Sequence, residues 1–121
     1  MLSFQQCMAK KEAEIQREIC DYLHDKGYFF WRSNNVPVYA RSNDGQKRFR
    51  SLPKYTPKGL PDITIIHKTI AIFIEVKRDE KTKQSKDQKD IEAKIRENGG
   101  IYFVAWNVEI VHRLMTQIKY E

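Results

Sequence analysis

The segment 70–77 constrains the fold of this chain more than any other part of the sequence. It reads Ile-Ala-Ile-Phe-Ile-Glu-Val-Lys, a run rich in β-branched and aromatic side chains. Since successive side chains on a strand point to opposite faces, both faces of this strand carry apolar groups. A strand buried on both faces is typical of a sheet covered by helices on each side. The segment therefore predicts an α/β fold in which a mixed β-sheet is flanked by helices on both faces.

The rest of the chain divides into elements that suit such a fold. Apolar residues at Ile15, Ile19 and Leu23 predict an amphipathic helix, and Ser85 with Gln88 predicts the capping box of another. In chain order, the predicted elements are a helix over 11–26, a strand over 28–32, a hairpin of strands 62–66 and 70–77, a helix between Ser85 and Asn98, a strand over 101–106 and a helix over 108–118. This order, α-β-loop-β-β-α-β-α, again predicts a mixed sheet.

The length of 121 residues suits a single domain, 1–121, with its core between about residues 11 and 112. Trp31 and Trp106 are predicted to lie in that core; the alternative is that they are platforms on which bases stack. In the helix after Ser85 the predicted apolar stripe consists of Ile91, Ala93 and Ile95. Residues 34–61 are rich in Asn, Ser, Gly and Pro and predict a long irregular loop, which in a compact domain is usually functional or disordered.

The formal net charge is +6, and nearly all of it falls between residues 41 and 58. This basic segment has Asp44 as its single acid and is interleaved with aromatic residues, a combination that suits a DNA backbone with its sugars and bases. The alternative is a solvated, mobile loop. Arg32, which precedes the loop, could reach a phosphate or pair with a surface acid. The candidate DNA-binding residues are Arg32, Arg41, Lys47, Arg48, Arg50, Lys54 and Lys58.

Several classes of protein are not expected. No apolar run approaches the ~20 residues that span a membrane. Residues 1–10 lack the basic head and apolar stretch of an export signal, so the expected location is the cytoplasm of a bacterium or of a phage-infected host cell. Cys7 and Cys20 lack metal-ligand spacing and are expected to be reduced thiols. Three scattered histidines are expected to be incidental: His24, His67 and His112.

Three charged residues, Asp62, Glu75 and Lys77, stand at the open end of the predicted hairpin. Because the hairpin folds back on itself, Asp62 should lie opposite residue 74 or 75, with its carboxylate roughly 5 Å from that of Glu75. Two such carboxylates repel unless one is protonated or a cation lies between them. With the Val76 carbonyl they predict a Mg²⁺ site, beside which Lys77 could orient or deprotonate a water. The alternative is an ordinary ion pair at an exposed strand end.

These residues resemble a known nuclease signature. Gly59-Leu-Pro-Asp62, followed by twelve residues and then by Ile74-Glu75-Val76-Lys77, resembles the PD-(D/E)XK motif. Within that superfamily the chain looks most like the virus-type replication-repair nuclease (VRR-NUC) domain, over about residues 11 to 112. The likeness extends to Glu12-Ala-Glu-Ile-Gln16, Phe30-Trp31-Arg32, Arg48-Phe-Arg50, Ser85-Lys-Asp-Gln88 and Gly99-Gly100. It implies a restriction-endonuclease-like αβββαβ core, dependence on Mg²⁺ or Mn²⁺, and hydrolysis of phosphodiester bonds in DNA.

The resemblance also implies roles for individual residues. Asp62 and Glu75 would be the metal carboxylates, and Lys77 the catalytic lysine. Gln88 matches a glutamine expected near the metal or the substrate, although it could equally serve only to complete the capping box with Ser85.

The acid that the first helix would contribute is assigned to Glu12. This residue extends the apolar stripe of the helix and would point inward toward the sheet. Glu14 is the second choice. Gln16 stands where we would expect an acid in related resolvases, and a glutamine there could hold a metal-bound water without supplying charge.

Together these features predict a metal-dependent DNA endonuclease acting on branched or four-way-junction DNA in replication, repair or recombination. The resemblance to Holliday junction resolvases implies a homodimer, for which strand 101–106 and the last helix are the predicted interface. One alternative is a non-catalytic module that binds structured DNA with a nuclease fold. Another is a restriction enzyme, although the chain is short for a separate recognition domain.

Overall fold

The computed structural model describes residues 10–33, 38–41, 47–50 and 54–118. Its elements in chain order are α1 (Glu12–Asp25), β1 (Phe29–Arg32), β2 (Val38–Arg41), β3 (Lys47–Arg50), β4 (Ile63–His67), β5 (Ile70–Val76), α2 (Lys86–Glu97), β6 (Ile101–Ala105) and α3 (Val108–Gln117). Every predicted helix and strand is present, with each end within one residue of its predicted position. The additional strands are β2 and β3.

The main sheet contains β1, β4, β5 and β6 in that spatial order. β4 pairs antiparallel with both β1 and β5, whereas β6 runs parallel to β5, so the sheet is mixed as predicted. Lys68 and Thr69 join β4 to β5, and their positive φ values of 47° and 71° are typical of a tight two-residue hairpin turn. This turn fixes a register in which Ile63 lies opposite Ile74.

One face of the sheet packs against α1 and α3. In α1, Ile15, Ile19 and Leu23 recur at i, i+4 and i+8, so a single stripe of the helix faces the strands. The buried cluster on this face consists of Ile15, Ile19, Leu23, Ile63, Ile65, Ile72, Ile74, Val76, Ala105, Ile110, Val111 and Met115. Burying this apolar surface is the main source of stability for the domain.

The opposite face is covered in part by α2. Ile91 and Ile95 line an apolar groove together with Ala71 and Phe73 of β5. Helices therefore lie on both sides of the sheet, which confirms the predicted layers. The prediction was wrong for Ala93, which is exposed because a residue two positions from Ile91 points to another side of the helix.

The segment 34–61 is not the single irregular loop that was predicted. It contains β2 and β3, which pair antiparallel as a separate two-stranded sheet with Val38 opposite Arg50. The sequence between these strands includes Asp44-Gly45, a dipeptide typical of hairpin turns. That local signal was outweighed by the prolines and polar residues around it.

The prediction that Trp31 lies in the core was also wrong, since its exposed fraction is 46%. Trp31 lies on β1, the edge strand, where alternate side chains point to opposite faces. Its neighbour Phe30 packs on the core, and Trp31 therefore points to the other face, which α2 covers only in part. Trp106 packs against the core as predicted.

Cys20 is a free thiol, and Cys7 lies outside the described residues. Within the described part of the chain, none of the helices has the length and apolar character needed to cross a membrane. The single-domain assignment stays a prediction.

Candidate active site

The β4–β5 hairpin brings Asp62 and Glu75 together. Ile63 lies opposite Ile74, so Asp62, one residue before β4, faces Glu75, one residue after Ile74. The Oδ2 atom of Asp62 accepts a 2.7 Å hydrogen bond from the backbone N–H of Val76, which holds this carboxyl group against β5. The strand register therefore places the two acids next to each other at one end of the sheet, as predicted.

The two acids occupy a setting that disfavours two negative charges. Glu75 is only 3% exposed, and burial, followed by the nearby Asp62 carboxyl, raises its pKa to about 8. Burial also raises the pKa of Asp62, although the Val76 N–H opposes that shift. The Oε2 atom of Glu75 is buried without a hydrogen-bond donor. Two ionised carboxylates in this setting repel each other unless one of them is protonated or a cation balances the pair.

Lys77 and Gln88 complete a hydrogen-bonded group beside this pair. The Nε2 atom of Gln88 donates to Glu75 Oε1 at 2.7 Å, and Lys77 Nζ donates to Gln88 Oε1 at 2.9 Å. Lys77 Nζ also lies 3.8 Å from Glu75 Oε1, and only 7% of Lys77 is exposed. Lys77 directly follows β5 and is two residues after Glu75, so the two side chains share a face, and both reach the glutamine of α2. The sequence predicted this placement of Gln88.

Local structure at the start of α2 holds Gln88 in position. The Ser85 hydroxyl accepts a hydrogen bond from the Gln88 N–H, and Gln88 Oε1 accepts one from the Ser85 N–H, which is a complete capping box. Both roles considered for Gln88, capping and contact with the charged residues, are thus satisfied geometrically by one side chain.

Gly59 contributes a contact to which the sequence assigned no separate role. Its φ is +83°, and a Cβ atom on it would lie 2.6 Å from the backbone carbon of Asp87 and 2.8 Å from the Gln88 nitrogen. Only glycine therefore fits this close approach between the 54–62 segment and the first turn of α2. The signal in the sequence was the glycine before Pro61-Asp62, but its partner lies far along the chain.

The acids of α1 lie in its first turn. Glu12 is exposed, because it precedes the buried stripe of the helix, which starts at Ile15, and its role at the site stays a prediction. Partial burial and the Asp62 carboxyl still raise the pKa of Glu12, so the two acids sense each other. Glu14 is exposed as well, and it acts electrostatically on Lys10.

The ligand set available to a cation is therefore small. Within residues 10–33, 38–41, 47–50 and 54–118, no three His, Cys, Asp or Glu side chains come together as metal ligands. Asp62 and Glu75 form a pair, and the Val76 carbonyl is on their side of β5, since the N–H and C=O of one strand residue point the same way. The donorless Oε2 of Glu75 fits a cation bound by two carboxylates, a carbonyl and waters.

The structure places the candidate DNA-binding residues in three parts of the chain. Arg32 donates a 3.1 Å hydrogen bond to Gln16 Oε1, the side-chain amide oxygen of an α1 residue. Lys54 lies over the Tyr55 ring, 5.0 Å from its centroid, and Lys58 is exposed. The other four lie on the β2–β3 hairpin, where the backbone is described: Arg41, Lys47, Arg48 and Arg50.

One of the comparisons with known proteins bears on the fold. No family model and no curated protein matches the sequence. Among solved structures, the chain is similar to one described as a VRR_NUC domain, with a TM-score of 0.63 and 23% sequence identity over 92% of this chain and 100% of that chain. At this identity the similarity concerns the fold, and it confirms the predicted VRR-NUC fold with its restriction-endonuclease-like α/β core.

Proposed function

We propose that this protein is a metal-dependent DNA endonuclease that hydrolyses phosphodiester bonds. The observation that carries the proposal is the buried Asp62–Glu75 pair at one end of the hairpin, with Lys77 and Gln88 hydrogen-bonded beside it. The VRR_NUC description of the similar solved structure supports the same class of activity.

Mg²⁺ or Mn²⁺ would be held by Asp62, Glu75 and the Val76 carbonyl. These are hard oxygen donors, and a site with only two carboxylates leaves positions for water and for a phosphate oxygen. When bound, such an ion would lower the pKa of a water and offset the charge of the phosphate. Asp62 and Glu75 would each be held in their ionised form by the ion, and hydrogen bonds from Val76 and Gln88 orient them.

Lys77 would act directly on the reacting phosphate. Its ammonium group is held by Gln88 before substrate binds, so little reorganisation is needed as negative charge develops on the phosphate oxygens. The same group could orient the attacking water. Gln88 would be a positioning residue, because it fixes both Glu75 and Lys77.

DNA binding would depend on the basic segment between residues 41 and 58. Contacts to phosphates give affinity without sequence preference, and this affinity decreases steeply with salt. We propose that branched or four-way-junction DNA is the substrate, in replication, repair or recombination in the cytoplasm of a bacterium or a phage-infected cell. A homodimer would place two such sites across one junction.

The test is a cleavage assay on four-way-junction, flap and linear duplex DNA with Mg²⁺ or Mn²⁺. We expect the wild-type protein to cut branched DNA, and we expect Glu75→Gln and Lys77→Met to lower the rate by about 10²-fold or more. Glu97→Gln and Lys94→Met, on the exposed surface of α2, are the matched controls and should cut like the wild type. Full activity in Glu75→Gln and Lys77→Met would overturn the proposal.

A second candidate is a non-catalytic module that binds structured DNA. It is favoured by the presence of only two clustered acids among the described residues. Titration of Mn²⁺ by calorimetry separates the two functions. A nuclease should bind Mn²⁺ at a site that Asp62→Asn weakens, whereas a binding module should show salt-sensitive DNA binding without any Mn²⁺ site that depends on Asp62.

A further inference from the structure

The sheet face that carries Asp62 and Glu75 also carries an exposed aromatic surface. Phe29 and Trp31 are two apart on β1 and share a face, with ring centroids 5.8 Å apart and ring planes inclined by 60°. Their exposed fractions are 68% and 46%, although rings of this size usually contribute to a core. We call Phe29 and Trp31 the aromatic ledge. Ile66, opposite Phe29 on β4, is 40% exposed and lies beside the ledge without contributing a ring.

The strand register places the ledge beside the candidate active site. Trp31 lies opposite Thr64 on β4, and Asp62 is two residues before Thr64 and therefore on the same face. Trp31 and Asp62 are thus diagonal neighbours, a relationship in which side chains are about 7–8 Å apart and within reach of an aromatic ring. A phosphate held near Asp62 would have the next nucleotide of its strand within reach of Trp31.

The chemistry of the ledge favours a nucleobase as its occupant. An aromatic side chain stacks on any base, because every base has a π-face. The net charge of +6 attracts a polyanion such as a strand of DNA. The ledge continues directly to the acid pair on the same sheet face, which places it in the path of a bound strand.

A base inside a duplex cannot use the ledge, since its faces are covered by its neighbours in the stack. Bases in single-stranded arms, loops and ends are free to stack on aromatic side chains. We infer that the aromatic ledge stacks an unpaired base next to the phosphate to be cut, so that forks and flaps are preferred to duplex and to fully paired four-way junctions. This inference rests on the proposed nuclease function and narrows its substrate class.

The binding test uses two DNA forks that differ only in their bases. One fork carries a single-stranded arm of dT, and the other carries the same sugar–phosphate arm with abasic residues. Anisotropy is measured in EDTA, so that neither metal binding nor cleavage affects the result. The wild-type protein should bind the dT fork at least about fivefold more tightly, as expected for one stacked base. The dT arm, but not the abasic arm, should quench tryptophan fluorescence.

Variants on the ledge identify the group responsible. Trp31→Ala should remove the preference for the dT fork, and Trp31→Phe should retain it because it keeps a ring. Ile66→Ala trims an exposed apolar side chain beside the ledge, outside the two rings that would stack the base, and is the matched control that should bind like the wild type. Circular dichroism verifies that each variant folds. Equal binding of the two forks by the wild type, or a preference that survives Trp31→Ala, would overturn the inference.

Two further outcomes are separated by the same materials. If sedimentation shows that Trp31→Ala and Ile66→Ala each convert a dimer to a monomer without changing the base preference, the ledge is a subunit interface and the inference is wrong. If the base preference is present in EDTA but no DNA is cut with Mg²⁺ or Mn²⁺, the ledge binds bases and the nuclease proposal fails. If DNA is cut but the two forks bind equally, the nuclease proposal stands and the inference about the ledge is wrong.

Discussion

The Nε2 atom of Gln88 donates a 2.7 Å hydrogen bond to Oε1 of Glu75. The other end of the same amide, Oε1, accepts hydrogen bonds from Lys77 Nζ and from the Ser85 N–H, each at 2.9 Å. Because only Nε2 can donate and only Oε1 can accept, this arrangement fixes the orientation of the amide. One side chain thereby joins the first turn of α2 to both charged residues at the end of β5.

Replacing Gln88 by alanine should lower both stability and activity. Glu75 Oε1 and Lys77 Nζ would lose a buried partner, and a buried polar group left without one costs about 1–3 kcal/mol. We expect the free energy of unfolding to fall by about that amount in urea titrations. We also expect the cleavage rate to fall by about 10²-fold, since Lys77 would no longer be held in place.

Ser85→Ala is the matched control for Gln88→Ala. It removes the hydroxyl that caps α2 and should cost about 0.5–2 kcal/mol of stability. The contacts of the Gln88 side chain with Glu75 and Lys77 remain, so the cleavage rate should stay near that of the wild type. An equal loss of cleavage in both variants would mean that Gln88 acts only through the stability of the helix.

Glu75 should make the stability of the protein decrease as the pH rises. Burial and the Asp62 carboxyl raise the pKa of Glu75 to about 8, whereas a glutamate in an unfolded chain has a pKa of about 4.3. Between these two pKa values the folded protein binds a proton that the unfolded chain has lost. The contribution of Glu75 to the free energy of unfolding is therefore complete below the lower pKa and is lost as the pH rises through the higher one. Urea denaturation in EDTA at several pH values measures this decrease.

Glu75→Gln tests the origin of that pH dependence. Glutamine keeps the shape of the side chain and carries no charge at any pH, so this variant should lose much of the decrease and should be more stable than the wild type near neutral pH. Glu97→Gln, at the exposed end of α2, should retain the wild-type pH dependence. If the stability of Glu75→Gln depends on pH as that of the wild type does, then ionising Glu75 does not destabilise the folded protein and the explanation is wrong.

The pairing of Asp62 with Glu75 could be predicted because short-range rules fix it. Two apolar runs separated by a short turn define a hairpin, and the turn at Lys68 and Thr69 fixes its register. The capping box of Ser85 and Gln88 is equally local. In each case the residues that interact are close in sequence or are tied together by a strand ladder.

The features that were not predicted depend on contacts between distant segments. The exposure of Trp31 depends on how far α2 extends over the opposite sheet face, which the aromatic pattern of β1 does not encode. The approach of Gly59 to Asp87 likewise depends on the path of a whole segment over the helix. Sequence periodicity describes a face of an element, but it does not specify what covers that face.

Gly59→Ala should displace the start of α2 and impair the candidate active site. A Cβ atom would overlap the backbone at Asp87, and alanine also disfavours the φ of +83°. We expect a loss of about 1–3 kcal/mol in the free energy of unfolding and a clear drop in the cleavage rate, because Gln88 belongs to the displaced turn.

Gly99→Ala is a matched control for this substitution. Gly99 has a φ of +86°, yet nothing lies within 4 Å of a Cβ atom placed there. The Gly99→Ala variant therefore has the same backbone strain as Gly59→Ala but no overlap with other atoms. It should reduce the free energy of unfolding less than Gly59→Ala and leave the cleavage rate unchanged. If the two variants behave alike, backbone strain alone accounts for the effect and the contact with α2 does not matter.

The contribution of α1 to metal binding should come from Glu12 and not from Glu14. Both are exposed in the first turn, and partial burial, followed by the Asp62 carboxyl, raises the pKa of Glu12, which indicates that the charge of Glu12 reaches the acid pair. Exposed charges interact weakly, so Glu12→Gln should weaken Mn²⁺ binding by about two- to fivefold in calorimetry. Glu14→Gln also removes one negative charge from the first turn of α1, two residues after Glu12, and this variant should bind Mn²⁺ like the wild type. A larger loss in Glu14→Gln than in Glu12→Gln would reverse the assignment, because the acid closer to the ion must have the larger effect.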